Sequence, residues 1–239
     1  MNILFSSVGR RSYLVYYFRE ALRGDGKIIC TNCYPDTPGM FFADVARVVP
    51  MSGEPEFLEA LLDVCREFRP AMLFSLHDVE IPYIARAREK FLELGTVPVV
   101  PGCEWADMCL DKFACCHFAE QQGIPSCRTY LHVSDVLAAV EQGQIEWPVV
   151  VKPRFGFGSF GIEFVNDAND LIARHRHLVQ EASGHKYLKQ EKRGEDLAIM
   201  QEMLRGDEYG LDILCDLKGE FRTCLIERKL AMRSGETDV

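Results

Sequence analysis

Residues 148–162 read Pro-Val-Val-Val-Lys-Pro-Arg-Phe-Gly-Phe-Gly-Ser-Phe-Gly-Ile, an apolar strand that ends in Lys152 and a glycine-rich connection to a second strand. Glycine lets backbone amides approach an anion without a Cβ in the way, and successive N–H groups in a turn form an anion-binding nest. Lys152 adds a positive charge beside that nest. The loop alone fits a flexible hairpin connection with a solvated lysine equally well, because glycine-rich loops are weak signals. Motifs elsewhere in the chain must therefore decide between the two interpretations.

Two common nucleotide-binding motifs do not occur in this sequence. There is no G-x-x-x-x-G-K-[ST], and the glycine loop joins two strands instead of opening a helix. The turn at residues 8–11 has one glycine, Gly9, where a dinucleotide fingerprint needs three. A nicotinamide cofactor, and with it an oxidoreductase built on the N-terminal part, is therefore not expected.

The first hundred residues alternate apolar strands with amphipathic helices. Apolar residues recur at helical spacing in residues 14–21 and 58–65, between short apolar runs at residues 3–6, 27–31, 46–49 and 71–76. Right-handed crossovers turn this order into an open parallel sheet with helices on both faces, whose ligand crevice lies at the carboxyl ends of the strands. The sequence predicts an α/β, Rossmann-like domain over residues 1–102.

Residues 103–239 have a different pattern and are predicted to form an α+β domain with antiparallel strands. One helix is expected over 104–122, and residues 184–196 are expected to connect elements. The other predicted helices are 133–142 and 168–181, and the predicted strands are 126–131, 148–152, 161–165, 198–204, 209–216 and 221–229.

Charge and composition exclude several classes of protein. The chain has 36 acidic and 27 basic side chains, a net charge of −9, and therefore no general field that attracts nucleic acid. No apolar run is long enough to span a membrane, and the N-terminus lacks a signal-peptide pattern, so we expect a cytoplasmic protein. The ten cysteines are then expected to be reduced and mostly buried. Cys30 and Cys33 form the only C-x-x-C pair, and no second pair of ligands is present with which they could bind zinc.

The glycine loop is one of four motifs that follow one another along the chain. Residues 111–112 (Asp-Lys) precede it, and residues 201–209 (Gln-Glu-Met-Leu-Arg-Gly-Asp-Glu-Tyr) follow it, with Asp212 beyond. Together with the N-terminal stretch at residues 3–11, they resemble the ATP-grasp superfamily, most closely the large-subunit-like proteins of carbamoyl phosphate synthase. The resemblance implies a Rossmann-like pre-ATP-grasp domain at 1–102 and an ATP-grasp domain at 103–239.

The resemblance also implies a set of residues that bind ATP. The two lysines would reach the phosphates, the loop would close over them, the backbone of two residues would meet adenine, and a carboxylate would accept from the ribose hydroxyls. Solvated lysines, ordinary loop packing and edge-strand charges are the alternatives that stay open. The implied residues are Lys112, Lys152, Gly156, Phe157, Gly158 and Ser159, then Glu202 and Leu204 for adenine and Glu208 for ribose.

Substrate and catalytic residues are implied in the same way. The catalytic candidates are Lys152, Arg228 and Arg233. Lys152 resembles the lysine on the α- and β-phosphates, whereas Arg228 and Arg233 could meet the γ-phosphate or an acidic substrate but fit a solvated face equally well. The acceptor-substrate candidates stand at strand ends of the first domain, where surface arginines and acids at a helix N-terminus are the alternatives. They are Arg10, Arg11, Asp78 and Glu80.

The implied activity is ATP-dependent ligation of a carboxylate or bicarbonate to an amine through an acyl phosphate. Mg²⁺ is expected for the complete family fold, but the chain stops at residues 233–239, before the strands that carry the family's metal ligands. Glu236 and Asp238 do not match those strands, so no metal ligand is assigned and the second lobe is expected to be incomplete. A nucleotide-binding module without turnover, completed by a partner, is the alternative. Small-molecule substrates are the expected partners, and a homo-oligomer stays open.

Overall fold

The computed structural model describes residues 1–156, 158–184, 194–233 and 236–237. The chain forms two compact units, Met1–Asp107 and Met108–Val239, which are described separately here. The division falls inside helix α6 (Cys103–Leu110), whereas the sequence predicts a boundary just before that helix.

The first unit is built on a five-stranded parallel sheet with the order β3-β2-β1-β4-β5. All four neighbouring pairs run parallel, as the alternation of strands and helices predicts. The strand order reverses between the first and fourth strands, which is where open α/β sheets form a ligand crevice. The strands are β1 (Ile3–Ser6), β2 (Ile28–Asn32), β3 (Val45–Val48), β4 (Met72–Ser75) and β5 (Val97–Pro98).

Helices cover both faces of this sheet because successive side chains of β1 point to opposite sides. Leu4 packs into the buried cluster that includes Leu61 and Phe91, while Ile3 and Phe5 pack into a second cluster on the other face. The helices are α1 (Ser12–Leu22), α2 (Pro38–Phe42), α3 (Phe57–Phe68), α4 (Ile81–Arg86) and α5 (Arg88–Glu93), with a 3₁₀ turn at Asp78–Glu80 before α4.

The second unit contains a four-stranded antiparallel sheet with the order β6-β9-β7-β8. Helices α8 and α9 pack on its first face, where Val149, Val151 and Met200 are fully buried. The elements are α7 (Lys112–Gln121), β6 (Thr129–Tyr130), α8 (Val133–Glu141), β7 (Val149–Pro153), β8 (Glu163–Val165), α9 (Ala168–Gly184) and β9 (Ala198–Glu202), with a 3₁₀ turn at Gly194–Leu197 before β9.

The remaining strands form separate hairpins. The predicted turn at Lys218-Gly219 joins β10 (Tyr209–Cys215) to β11 (Phe221–Arg228), and β12 (Met232–Arg233) pairs with β13 (Glu236–Thr237). β9 pairs with β6 and β7 instead of with β10. Apolar side chains on both faces of the β10–β11 hairpin are more than half exposed, among them Leu211, Ile213, Leu214, Phe221, Leu225 and Ile226.

One predicted helix is wrong: the stretch 104–122 forms two helices instead of one. α6 ends at Leu110 and α7 begins at Lys112, because Asp111 between them has an extended backbone with φ −95° and ψ 97°. The Asp111 carboxylate caps α7 by accepting from the amides of Phe113 and Ala114. Asp111 therefore specifies the start of a new helix, although the helical pattern of apolar residues continues through this position.

The prediction that most cysteines are buried is also wrong. All ten are free thiols, as expected, but only Cys30 and Cys65 are buried. The others lie at the surface or half-buried, and three of them, Cys109, Cys115 and Cys215, are exposed. No helix among the described residues is long and apolar enough to cross a membrane.

Close packing at Gly39 gives a test of the first unit. A Cβ at Gly39 would lie 2.4 Å from Cγ2 of Val8, which is fully buried and has no room to move away. We expect Gly39→Ala to lower the free energy of unfolding by about 1–3 kcal/mol, measured by urea denaturation.

Gly184→Ala is the matched control, since nothing lies within 4 Å of a Cβ at the end of α9. That substitution should be neutral or stabilising by up to about 1 kcal/mol. Equal effects of the two substitutions would contradict the packing argument.

Candidate functional site

A buried ion pair joins the start of α7 to the end of β7. Arg154 Nε lies 2.6 Å from Asp111 Oδ1, and Arg154 Nη2 lies 2.7 Å from Asp111 Oδ2. Both side chains are less than a tenth exposed, and the guanidinium also lies 5.2 Å from the ring centre of Phe113. A bidentate pair of this kind fixes both distance and orientation, because the planar fork of arginine matches a carboxylate.

The ion pair places Lys112 against the glycine loop. The Lys112 amide donates to the carbonyl of Arg154 at 3.1 Å, and Lys112 Nζ donates to the carbonyl of Gly156 at 2.8 Å. The ammonium group therefore lies at the base of the loop instead of extending into solvent. Its role toward phosphate stays a prediction.

Four described residues of the loop have positive φ values. Gly156, Gly158 and Gly161 have φ values of 134°, 63° and 65°, and Ser159 adopts φ 56°, which is uncommon for a residue with a Cβ. Turns can align successive amides as an anion nest, and this role of the loop stays a prediction. Phe157, which the resemblance places in the loop, lies outside the described residues.

Lys152 lies on the second face of the sheet, opposite to α8 and α9. Val149 and Val151 point to the buried first face, so Val150 and Lys152 point the other way. Lys152 is half-buried and pairs in register with Ile199 of β9. The structure thus places Lys112, Lys152 and the glycine loop around the carboxyl end of β7.

The predicted adenine residues lie at the end of β9. The Glu202 carboxylate accepts from the Arg128 amide at 2.8 Å, and the Glu202 amide donates to the Arg128 carbonyl at 3.1 Å. The Glu202 side chain therefore extends the pairing of β9 toward β6. Leu204 follows the strand and is 69% exposed. A role of their backbone groups toward adenine stays a prediction.

The ribose candidate and the predicted basic cluster carry ion pairs. Glu208 Oε1 accepts from Lys229 Nζ at 2.7 Å, and Arg228 donates to Asp207 at 2.8 Å. Farther along the hairpin, the Arg222 guanidinium lowers the pKa of Asp216. A ligand at Arg228 or Glu208 would therefore have to compete with a partner already present. The side chain of Arg233 lies outside the described residues.

The substrate candidates of the first unit lie at the carboxyl ends of β1 and β4. Glu80 is 2% exposed and accepts from the hydroxyls of Ser7 and Ser75, so it joins the turns that follow these two strands. Asp78 and Arg10 are exposed, and Arg11 is half-buried. Burial lowers the pKa of the neighbouring His77, and the Arg11 charge acts in the same direction.

The described residues contain no group of three or more His, Cys, Asp or Glu side chains that could hold a metal ion. Asp238 and the side chain of Glu236 fall outside that part of the chain. The donor set described here therefore does not fit a family-type magnesium site, and no chemical step is assigned to a metal.

The sequence pattern assigns no role to three residues that organise these sites. They are Arg154, Ser7 and Ser75. An aspartate directly before a helix is a common N-cap signal, so the capping by Asp111 could have been found. Its pairing with Arg154 joins residues 43 positions apart, which no local pattern reveals.

Comparisons with known families and proteins agree with this geometry. Residues 3–100 match the PylC-like N-terminal domain, and residues 145–238 match the ATP-grasp domain. The chain is 29% identical to the carbamoyl phosphate synthase large chain of Halomonas eurihalina over 172 residues, which covers 70% of this chain and 15% of that protein. It is 30% identical to the formate-dependent phosphoribosylglycinamide formyltransferase of Synechocystis sp. over 156 residues, 63% and 37% of the two chains.

Solved structures show the same fold. The biotin carboxylase domain of Hydrogenobacter thermophilus 2-oxoglutarate carboxylase superposes with a TM-score of 0.72 at 17% identity, covering 99% of this chain and 51% of that one. An L-amino acid ligase from Bacillus licheniformis gives 0.63 at 20% identity, with 95% and 51% covered. At these identities the likeness concerns the fold alone. The chain spans about half of these structures and less than half of the two relatives.

The buried ion pair makes a direct prediction about stability. We expect Arg154→Ala to lower the free energy of unfolding of the second unit by about 3–5 kcal/mol, because it leaves the Asp111 carboxylate buried without its counter-charge. Chemical denaturation monitored by circular dichroism gives the measurement.

The control is Arg86→Ala, which removes an ion pair to Asp107 whose two side chains are 53% and 46% exposed. An exposed pair contributes about 0–1 kcal/mol, so this variant should unfold almost as the native chain does. A loss at Arg154 no larger than at Arg86 would show that the buried pair does not hold the site together.

Proposed function

We propose that this chain, which carries a PylC-like N-terminal domain followed by an ATP-grasp domain, binds ATP at the glycine loop and serves ATP-dependent ligation of a carboxylate to an amine. The observation that carries the proposal is the contact of Lys112 Nζ with the Gly156 carbonyl at 2.8 Å. It sets one lysine at the base of the loop, and Lys152 stands in the strand that leads into the loop.

This arrangement suits a triphosphate. The phosphates carry several negative charges, and ammonium groups together with backbone N–H donors neutralise them without a chemical step by the protein. Preorganised donors of this kind also stabilise the charge that develops during phosphoryl transfer. The glycine loop and both lysines therefore act by positioning and by charge.

The reaction we propose proceeds through an acyl phosphate. A carboxylate or bicarbonate oxygen attacks the γ-phosphorus, ADP leaves, and an amine then attacks the acyl carbon and displaces inorganic phosphate. The names of related proteins support this substrate class. One relative is a formate-dependent transferase, and the Hydrogenobacter biotin carboxylase domain was solved with MgADP, ADP and bicarbonate.

Adenine and ribose would lie along the end of β9 and the chain that follows it. We assign the carbonyl of Glu202 and the amide of Leu204 to adenine, since adenine offers a donor at N6 and an acceptor at N1. We assign the Glu208 carboxylate to the ribose hydroxyls, because an ionised carboxylate only accepts. Lys229 would then share Glu208 with the ribose instead of holding it alone.

The first unit would contribute to the acceptor side of the reaction. Glu80 is buried between Ser7 and Ser75, so we propose that it shapes the crevice through these serines, while Arg10, Arg11 and Asp78 are the groups that meet a substrate. Arg228 and Arg233 remain candidates for the γ-phosphate. We also propose a cytoplasmic location and leave a homo-oligomer as a further possibility.

A second function is a nucleotide-binding module without turnover. It is favoured by the lack, among the described residues, of a carboxylate cluster that could hold the ions bridging the β- and γ-phosphates. Steady-state release of ADP with and without Mg²⁺ separates the two functions. Robust Mg²⁺-dependent turnover supports the ligase, and binding without turnover supports the module.

Lys152 provides the main test of the phosphate site. We expect Lys152→Ala to weaken ATP binding by on the order of 2 kcal/mol or more, because a charge-assisted contact to a desolvated anion is lost. Isothermal titration calorimetry measures the affinity. Lys90→Ala, which changes an exposed lysine of α5, should bind ATP as the native chain does. Unchanged affinity in Lys152→Ala would remove this lysine from the site.

Glu208 provides the test of the ribose site. The native chain should bind 2′-deoxy-ATP more weakly than ATP, because the carboxylate faces hydrogen where a hydroxyl would donate. Glu208→Gln should narrow this difference, and Glu227→Gln on the same hairpin should not. Equal binding of both nucleotides by the native chain would refute the assignment without touching the role of Lys152.

A further inference from the structure

Two cysteines meet beside the second face of the four-stranded sheet. Cys116 lies on α7 and Cys127 lies just before β6, and both side chains belong to one polar cluster with Gln201 and Thr129. Gln201 Nε2 donates to Cys116 Sγ at 3.3 Å and to Thr129 Oγ1 at 2.7 Å, and Thr129 Oγ1 lies 3.9 Å from Cys127 Sγ. Three separate elements therefore hold the two sulfurs in one polar cluster.

The cluster opens onto a cavity. Cys116 and Cys127 both line a cavity of about 660 Å³, together with Phe113, His117, Arg128 and Thr129. Both cysteines are half-buried, so a small reactant can reach them while bulk contact with other proteins is restricted. A cavity of this volume accommodates a small organic molecule.

The pKa values of the two thiols are shifted in opposite directions. Burial by itself would raise the pKa of Cys116, but hydrogen bonds from Thr129, Ser126 and other side chains outweigh it and lower that pKa. Burial raises the pKa of Cys127, and the charge of Cys116 raises it further. The lowered pKa favours Cys116 as the attacking cysteine and leaves Cys127 as the resolving one.

We propose that Cys116 and Cys127 form a reversible thiol–disulfide site that reacts with low-molecular-weight disulfides of the glutathione type. The Cys116 thiolate attacks one sulfur of the small disulfide, forms a mixed disulfide and releases one thiolate. The Cys127 thiol then loses its proton and attacks Cys116 Sγ, which releases the second thiolate and leaves a Cys116–Cys127 disulfide. Two protein thiols are oxidised and one small disulfide is reduced to two thiols.

The position of the pair gives this reaction a structural consequence. Gln201 donates to Cys116 and pairs in register with both Thr129 and Val150, so Cys116 contacts the strand that leads to Glu202. A disulfide ties α7 to the segment before β6 and removes the thiolate to which Gln201 donates. The redox state of the pair is thus coupled to the second face of the sheet, whether or not that face binds ATP.

The experiment uses the full chain and oxidised glutathione. The protein is equilibrated at increasing ratios of oxidised to reduced glutathione, remaining thiols are blocked with N-ethylmaleimide, and peptides are analysed by mass spectrometry without reduction. We expect a cross-linked Cys116–Cys127 peptide pair that dithiothreitol reverses. We also expect Cys116 to react with iodoacetamide roughly threefold or more faster than Cys115, since a lower pKa raises the thiolate fraction more than it lowers nucleophilicity.

Variants separate the two roles. Cys127→Ser should accumulate a glutathione adduct on Cys116, and Cys116→Ser should give neither the adduct at position 127 nor the cross-link. Cys115→Ser, which changes the exposed neighbour on the same helix, should leave the cross-link unchanged. The proposal is overturned if the native chain gives no Cys116–Cys127 cross-link at any ratio, or if Cys115 reacts as fast as Cys116. The native-chain measurements decide even if a variant fails to fold.

Discussion

The bidentate contact of Arg154 with Asp111 is the interaction on which the second unit depends. It ends one helix, starts the next, and brings Lys112 to the carbonyl of Gly156. The single buried carboxylate of Asp111 thereby serves both as helix cap and as counter-ion. Its contacts with the backbone amides and with the guanidinium offset the free-energy cost of removing it from water. Lys112 therefore owes its position beside the glycine loop to this contact.

The two faces of the sheet next to this ion pair differ in polarity. Its first face is filled by valines, Leu171 and Met200 under two helices, which gives a rigid base. Its second face carries Lys152 and Gln201, together with the cysteines that Gln201 contacts. Because alternate residues of one strand point to opposite faces, the same short strands supply both the core and the polar groups.

Local sequence patterns predicted the elements whose neighbours are close in the chain. The parallel sheet followed from the alternation of strands and helices, and the β10–β11 hairpin followed from Lys218-Gly219 at its turn. The pairing of Asp111 with Arg154, 43 positions away, and the contact of Gln201 with Cys116, 85 positions away, depend on tertiary partners. Apolar periodicity reports which side chains are buried, but it carries no information about which distant polar group will meet them.

The order of the parallel sheet also constrains how a growing chain can assemble. β1 is the central strand and is synthesised before both of its neighbours, yet Ile3 pairs on one side with Ile28 and on the other with Met72. Both edges of β1 can be paired only after most of the first unit has been synthesised. Until then, the apolar side chains that are fully buried in the folded unit remain uncovered. During that interval the nascent chain exposes an unpaired strand, so slower translation of the following residues would prolong the period in which it can aggregate.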